Sequence, residues 1–373
     1  MGRSGSGKTS MRSMIFNNYS ANETSRLGAT LYVERTEVRF LNNLNLSILD
    51  CAGQDNLMKN ILMPGNNQLA LCQVLIYVFD VSNIEEPKDY ITFVDVIKRL
   101  NQTSPSCKFF ILFHKWDLVM EHEKETAKSN IISALIKSGE EIKFHELYLN
   151  GTVKIFTTTI WNETLYLAWS RVVEELVPKA NIMKNYLKKI SRVLNAKELI
   201  IFERKSFLSI VSYSNMFDQD NFYNFNSDRN DGYSHYGVTA DRSQKISSII
   251  KTFRKSASYY NGGKFQKLTL HSRSSIIYLD ELTDTMAIML VLPNAMLNES
   301  PINQQNINNG NSGNYLQNNQ NVSSSTNANE NNSMNYNYLN SNTSVKNSFE
   351  DSFIGSVIKT ARDYFQNIDF GSN

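Results

Sequence analysis

The sequence predicts a doubly wound α/β domain followed by a smaller α+β domain, and three observations carry that reading. Val74–Val81 (VLIYVFDV) and Phe109–Phe113 (FFILF) are near-continuous apolar runs bounded by polar residues. Such runs mark strands buried on both faces of a parallel sheet. Helix-like stretches alternate with apolar runs from Gly2 to Pro178, and the pattern changes to clustered short strands beyond it.

The elements follow in order. Thr9–Asn18 has the composition of a helix. Tyr32–Leu41 alternates with a period of two, placing Val38 and Phe40 on one parity, and Leu44–Leu49 is a strand that ends on Asp50. Lys154–Thr158 is a further strand. Helices are expected over Lys88–Leu100, Lys124–Lys137 and Glu163–Val177. After Pro178 the sequence predicts a helix over Ala180–Leu194, strands over Leu199–Glu203 and Phe207–Tyr213, and a polar, aromatic loop over 215–242. Ile246, Ile249, Ile250 and Phe253 recur at helical spacing within Gln244–Tyr260. Strands over Phe265–His271, Ser275–Glu281 and Met286–Leu292 complete the second domain. Residues 301–348 hold 18 asparagines in 48 positions and little apolar content. Such a segment cannot bury enough surface to offset its chain entropy, so disorder is expected from 294 to 348. Beyond it, Phe349, Phe353, Ile354, Val357, Ile358, Ala361, Tyr364, Phe365 and Ile368 share one helical face. Its mixed polar side, with Lys359 and Arg362 against Asp351 and Asp363, favours docking on the second domain over an anionic membrane surface. The expected domains are 1–178, then 179–293 together with 349–370.

Composition excludes several classes. The chain has 373 residues, 41% of them hydrophobic, which is ample for two cores. A net charge of +2 gives no general attraction for nucleic acid. Three cysteines, Cys51, Cys72 and Cys107, with no CxxC spacing, argue against a disulfide framework or a zinc site and suit a reducing compartment. No apolar run is long enough to cross a membrane, so direct insertion is not expected.

The chemistry begins at Gly2-Arg3-Ser4-Gly5-Ser6-Gly7-Lys8-Thr9, which fits G-x-x-x-x-G-K-[ST]. Glycines let backbone N–H groups converge on phosphates, and the following helix adds its positive N-terminal end. Lys8 is then placed for the β- and γ-phosphates and the Thr9 hydroxyl for Mg²⁺. Asp50-Cys51-Ala52-Gly53-Gln54 follows at a strand end, 42 residues after Lys8. There Asp50 can hold the Mg²⁺ shell, Gly53 can offer an N–H to a γ-phosphate, and Gln54 can orient an attacking water. Thr30 is placed to sense the γ-phosphate through Mg²⁺. His114-Lys115-Trp116-Asp117 follows the FFILF strand, where Asp117 can pair with the N1 and N2 donors of guanine, and Thr158-Thr159-Ile160 can present backbone N–H groups to the base. Each motif alone is weak, but four in order at strand ends match the ligand-binding edge of an open α/β sheet.

This series resembles the Ras-like small GTPases, and among them the Rag (Gtr) family on its RagA/RagB side. The residues that carry the resemblance are GRSGSGKTSMRSMIF (2–16), RLGATLYVE (26–34), LDCAGQD (49–55), VLIYVFDV (74–81), FHKWDLV (113–119) and IWNETLYLAWS (160–170). The resemblance implies a P-loop GTPase domain followed by a roadblock/longin-like dimerisation domain. It implies GTP or GDP and Mg²⁺ as ligands, with nucleotide contacts from Ser4, Gly5, Ser6, Gly7, Lys8, Thr9, Ser10, Thr24, Thr30, Gly53, His114, Lys115, Asp117 and Ile160. Thr9, Thr30 and Asp50 would hold Mg²⁺, and Gln54 would be catalytic. It further implies a slow, GAP-dependent GTPase switch paired with a RagC/RagD-like partner. That pair would relay amino-acid availability to target-of-rapamycin complex 1 on lysosomal or vacuolar membrane, recruited there by a Ragulator/EGO-type scaffold. Arg26 is the one candidate for an arginine finger in cis.

Three departures from the family pattern stand out. The phosphate loop begins at Gly2, so the central strand that precedes it in the family is missing, and a start placed too far downstream is the expectation. Ala52 stands where the family has Gly, and His114 where most small GTPases have Asn. The alternative from another class is a nucleotide-independent scaffold that dimerises through its C-terminal domain.

Overall fold

The computed structural model describes residues 1–215, 267–294 and 352–368, apart from 43, 64, 85, 86, 273 and 274. The elements expected over 216–242 and 244–260 and the stretch 295–348 lie outside the described residues.

The phosphate loop leads into α1 (Lys8–Phe16), and β1 (Glu34–Leu41) and β2 (Leu44–Asp50) form an antiparallel hairpin. Helix α2 (Asp55–Leu62) follows, with Met58 and Ile61 as its buried face. The strands β3 (Val74–Asp80), β4 (Lys108–His114) and β5 (Val153–Thr158) then form a parallel sheet in that order, separated by α3 (Lys88–Thr103), α4 (Lys124–Ser138) and α5 (Phe144–Leu149). The apolar runs are explained by burial on both sides. Val78, Phe110, Leu112 and Phe156 pack towards α1 and α6 (Thr164–Leu176). Leu75, Tyr77, Phe79, Phe109, Ile111 and Phe113 pack towards α3, α4 and α5, where the Phe93 ring sits edge-on to those of Tyr77, Phe79 and Phe144. The first part of the chain is thus an α/β domain with helices on both faces of a parallel sheet.

Hairpin β1–β2 and sheet β3–β5 stay apart among the described residues, where the sequence reading has the family's central strand missing. Between β2 and β3 runs a cleft of about 660 Å³, lined by Leu46, Ile48, Ile76 and Val78 from the strands and by Trp169 and Val173 from α6. The first residues of the chain enter one end of it. Gly2 bridges Val78 in parallel, the Val78 N–H donates to the Met1 carbonyl at 3.0 Å, and the Met1 ammonium donates to the Ile76 carbonyl at 2.6 Å. Burial holds that ammonium below the usual pKa of an α-amino group.

The second unit is a five-stranded antiparallel sheet in the order β7-β6-β10-β9-β8. Its strands are β6 (Glu198–Glu203), β7 (Ser209–Ser214), β8 (Lys267–His271), β9 (Ser275–Glu281) and β10 (Met286–Pro293). Two helices cover one face, α7 (Ala180–Leu194) and α8 (352–366). In α8, Ile354, Ile358, Ala361 and Phe365 are buried, and Tyr364 stacks on Tyr186 of α7 with ring centroids 3.8 Å apart. One core is continuous through both units: Phe40 and Leu41 at the hairpin tip and Val172 in α6 belong to the same cluster as Leu187, Ile288 and Phe365. Asn42 clasps the junction. Its N–H donates to Thr285 Oγ1 at 3.0 Å and its Nδ2 to the Phe365 carbonyl at 3.2 Å.

Candidate functional site

The sequence-derived site residues gather at the carboxyl ends of β2, β3, β4 and β5. The loop before α1 needs glycine where the backbone turns left-handed, at Gly5 (φ 80°) and Gly7 (φ 90°). Gly7 is also needed for space, since a Cβ there would lie 2.8 Å from His114 Cδ2. Lys8, which opens α1, folds its Nζ back onto the Arg3 carbonyl at 2.6 Å. Burial lowers its pKa to about 8, partly opposed by the negative charge of Asp50.

Three oxygens converge beside the loop. Thr9 Oγ1 lies 2.6 Å from Thr30 Oγ1 and donates to Asp50 Oδ2 at 2.8 Å. These come from α1, from the segment before β1 and from the end of β2, so sequence positions 9, 30 and 50 meet at one point. Two hydroxyls and one carboxylate are a hard-oxygen set that fits Mg²⁺ when phosphate oxygens complete the shell, and far less a softer metal.

Gln54 Nε2 donates to the Thr30 carbonyl at 3.0 Å, while its Oε1 is buried and has no hydrogen-bond partner among the described residues. An unpaired buried carbonyl oxygen beside the three-oxygen cluster is an acceptor available to a water or ligand. Gly53 accepts at its carbonyl from the Ser4 N–H at 3.0 Å, and a Cβ on Gly53 would sit 2.3 Å from Ser4 N. Glycine is therefore the residue that lets this loop touch the phosphate loop.

The base side is equally connected. His114 is buried, bonds through Nδ1 to Thr158 Oγ1 at 2.9 Å, and packs its ring against Gly7. Burial, reinforced by the Lys115 charge, lowers its pKa to about 4, so it is neutral at physiological pH. It joins the base motif to the phosphate loop by packing. Lys115, in left-handed conformation (φ 61°), donates to Asp80 Oδ2 at 2.5 Å, and Asp117 accepts from the Thr159 hydroxyl. Ile160 is half-buried against the core. Ser10 lies in the first turn of α1. Thr24 is buried and its hydroxyl donates to the Ala21 carbonyl of its own turn at 2.6 Å.

Sequence reasoning missed three supporting residues. Arg12 lies 3.5 Å from Asp50 and 2.6 Å from Glu34, which ties β2 to β1. Asp80 orients Lys115, and the Thr159 side chain orients Asp117. An Asp that ends the apolar run of β3, at the ligand-binding edge of the sheet, is a signal for the second, although Lys115 lies 35 residues further on; nothing in the sequence signals the other two.

A parallel sheet whose strand ends present a glycine loop, a lysine, a hydroxyl–carboxylate cluster and a paired Lys/Asp motif defines a P-loop α/β protein. The profile described as the Gtr1/RagA G protein conserved region matches residues 1–250. The chain is 40% identical over 295 residues to the GTP-binding protein GTR1 of Saccharomyces cerevisiae, covering 78% of this chain and 89% of that one. It is 35% identical over 301 residues to the Ras-related GTP-binding protein A of Dictyostelium discoideum, covering 80% and 90%. To the GTP-binding protein GTR2 of Saccharomyces cerevisiae the identity is 26% over 220 residues, 57% of this chain and 60% of that one. The chain belongs to the Gtr1/RagA G protein family, on its RagA/RagB side.

Proposed function

We propose that this protein is a GTP-binding switch with slow GTP hydrolysis, acting as one half of a Rag-type heterodimer. The observation that supports it best is the convergence of Thr9, Thr30 and Asp50 with Gln54 held on the Thr30 carbonyl. On this reading the amides of Ser4–Thr9 and the Lys8 ammonium bind the phosphates, with Lys8 leaving the Arg3 carbonyl. Thr9, Thr30 and Asp50 hold Mg²⁺, which neutralises charge on the β- and γ-phosphates when bound. Gln54 Oε1 accepts from a water and aims it at the γ-phosphate, Gly53 offers its N–H there, and Asp117 selects guanine. Loss of the γ-phosphate frees Thr30 and the segment through α2. Arg26 is exposed at the end of its turn, so the reading assigns the transition-state arginine to a GAP in trans.

By family, the partner is a RagC/RagD-like GTPase joined through a roadblock-like C-terminal domain, and the pair relays amino-acid availability to target-of-rapamycin complex 1. No described helix is long and apolar enough to cross a membrane, which fits recruitment to lysosomal or vacuolar membrane by a Ragulator/EGO-type scaffold. The second reading is a nucleotide-independent scaffold that dimerises through its C-terminal domain.

Equilibrium binding of mant-GTP to the full chain, with ATP and xanthosine triphosphate as competitors, separates the two. The switch predicts GTP binding, ATP a poor competitor, and a shift towards the xanthosine nucleotide in Asp117→Asn. Absence of binding, in this chain and in one with the cleft filled, refutes it.

A further inference from the structure

Cys72 and Cys107 lie at the end of the parallel sheet opposite the phosphate loop. Cys107 directs its S–H at Cys72 Sγ across 3.8 Å; Cys107 is buried and Cys72 half-buried. The surrounding backbone is fixed. Ser104 Oγ accepts from the Cys72 N–H at 3.1 Å and donates to the Leu69 carbonyl at 3.0 Å, the Cys107 N–H donates to the Ser104 carbonyl at 3.0 Å, and the Lys108 N–H donates to the Gln73 carbonyl at 3.0 Å. The two thiols stand on neighbouring strand starts with their sulfurs already 3.8 Å apart, and bonding requires them to close to about 2.05 Å.

We propose that Cys72 and Cys107 form a redox-modification site at which a peroxide converts the thiol pair into a disulfide, tying the segment that follows α2 to the start of β4. The pair is asymmetric. Donation from Cys107 holds the Cys72 thiol below the ordinary thiol range, and the same contact with burial pushes the Cys107 thiol up. Cys72, half-buried where Cys107 is buried, is the sulfur open to a peroxide and so the attacking one, with Cys107 the resolving one. The Cys72 thiolate attacks one peroxide oxygen, the O–O bond breaks, and the departing hydroxide takes a proton to become water. The resulting sulfenic acid is attacked at sulfur by Cys107; the S–O bond breaks, and the leaving hydroxide takes the Cys107 proton as a second water. Two thiols and one hydrogen peroxide give one disulfide and two waters. His114 closes the far end of β4, seven residues on and about 20 Å away, so the cross-link stiffens the anchor of the segment between α2 and β3 without touching the ligand site.

The test treats the intact chain with hydrogen peroxide, alkylates the remaining thiols and maps the peptides. The expected result is loss of two hydrogens, a cross-link between residues 72 and 107, Cys51 still alkylated, and a Tm rise of about 5–10 °C reversed by dithiothreitol. Mant-GTP affinity, if present, stays within about two-fold, because the pair lies outside the site. Cys107→Ala should stop at a sulfenic acid on Cys72 that dimedone traps, and Cys72→Ala should leave Cys107 reduced. The proposal is overturned if both thiols stay alkylatable, if Cys51 enters the cross-link, or if Cys107 oxidises without Cys72. Mapping of the unmutated chain decides this even where a variant fails to fold.

Discussion

Adding a short apolar strand ahead of Met1 should stabilise this protein markedly, and the structure gives the size of the effect. Gly2 pairs in parallel with Val78, so the three residues placed before Met1 would face Ile76, Leu75 and Val74 in turn, and a fourth would pass Gln73. Alternate side chains of that extension would enter the two cores, one beside Trp169 and Val173, the other beside Cys51 and Leu69. Burying four Val or Leu side chains contributes roughly 6–12 kcal/mol at about 1.5–3 kcal/mol each. Ordering four residues costs about 6 kcal/mol at roughly 1.5 kcal/mol per residue. The buried Met1 ammonium becomes an amide that keeps its bond to the Ile76 carbonyl and loses its desolvation cost. A net gain of about 3 kcal/mol corresponds to a Tm rise on the order of 10 °C for a domain of this size. The assay compares the chain carrying Val-Leu-Val-Leu with one carrying Gly-Asp-Gly-Asp, by calorimetry and by mant-GTP binding. Equal melting temperatures for the two extensions would refute the assignment of the cleft as a strand slot.

Other outcomes follow from single contacts. Gly53→Ala forces a methyl to within 2.3 Å of Ser4 N; the loop must withdraw, and hydrolysis measured by phosphate release should fall at least ten-fold while GDP affinity changes little. Folded His114 stays neutral down to about pH 4, whereas the unfolded chain takes up this proton near pH 6.5. Stability should therefore decline as pH falls through that window, by up to about 3 kcal/mol, and urea titrations of His114→Asn should show a flatter profile. Asn42→Ala removes the side-chain bond to the Phe365 carbonyl and places alanine at φ 36°; a loss of about 1–2 kcal/mol in urea denaturation is expected, and a change below 0.5 kcal/mol would argue against the clasp.

Much of this was legible where one physical constraint dominates. Two-sided burial makes β3 and β4 almost wholly apolar, so both were found with bounds displaced by about one residue. The phosphate loop was legible because its backbone tolerates only glycine at positions 5 and 7. Helix α2 was not: within Asp55–Leu62 only Met58 and Ile61 are buried, too few positions to establish a period. In the six residues of α5 only Phe144 is fully buried, with Leu147 and Tyr148 partly buried against the same core, and so short a segment shows no period. Arg12 and Thr159 escaped because their roles exist only through Asp50 and Asp117, neighbours by folding and distant in sequence. The α8 face was readable across the Asn-rich stretch since four buried side chains at helical spacing outweigh its isolation.

The two units share more than a core, and the route between them is short. Thr30 holds Gln54 and touches Thr9; four residues later the chain enters β1, which runs to Asn42 at the hairpin tip. Asn42 in turn grips Thr285 and the last turn of α8. A ligand that draws Thr30 towards Asp50 pulls on a strand whose other end is fixed to the second sheet and its helix. Arg12, paired with Asp50 and Glu34 at once, keeps that strand in register with the site. The hairpin is bonded to no other strand in the described residues, so it can shift as a unit against β3 without breaking sheet hydrogen bonds. Filling the cleft would add those bonds and oppose such a shift. The same apolar extension that raises Tm should therefore also slow hydrogen exchange at the amides of β2, and exchange there unchanged by the extension would separate the stability gain from any coupling along the hairpin.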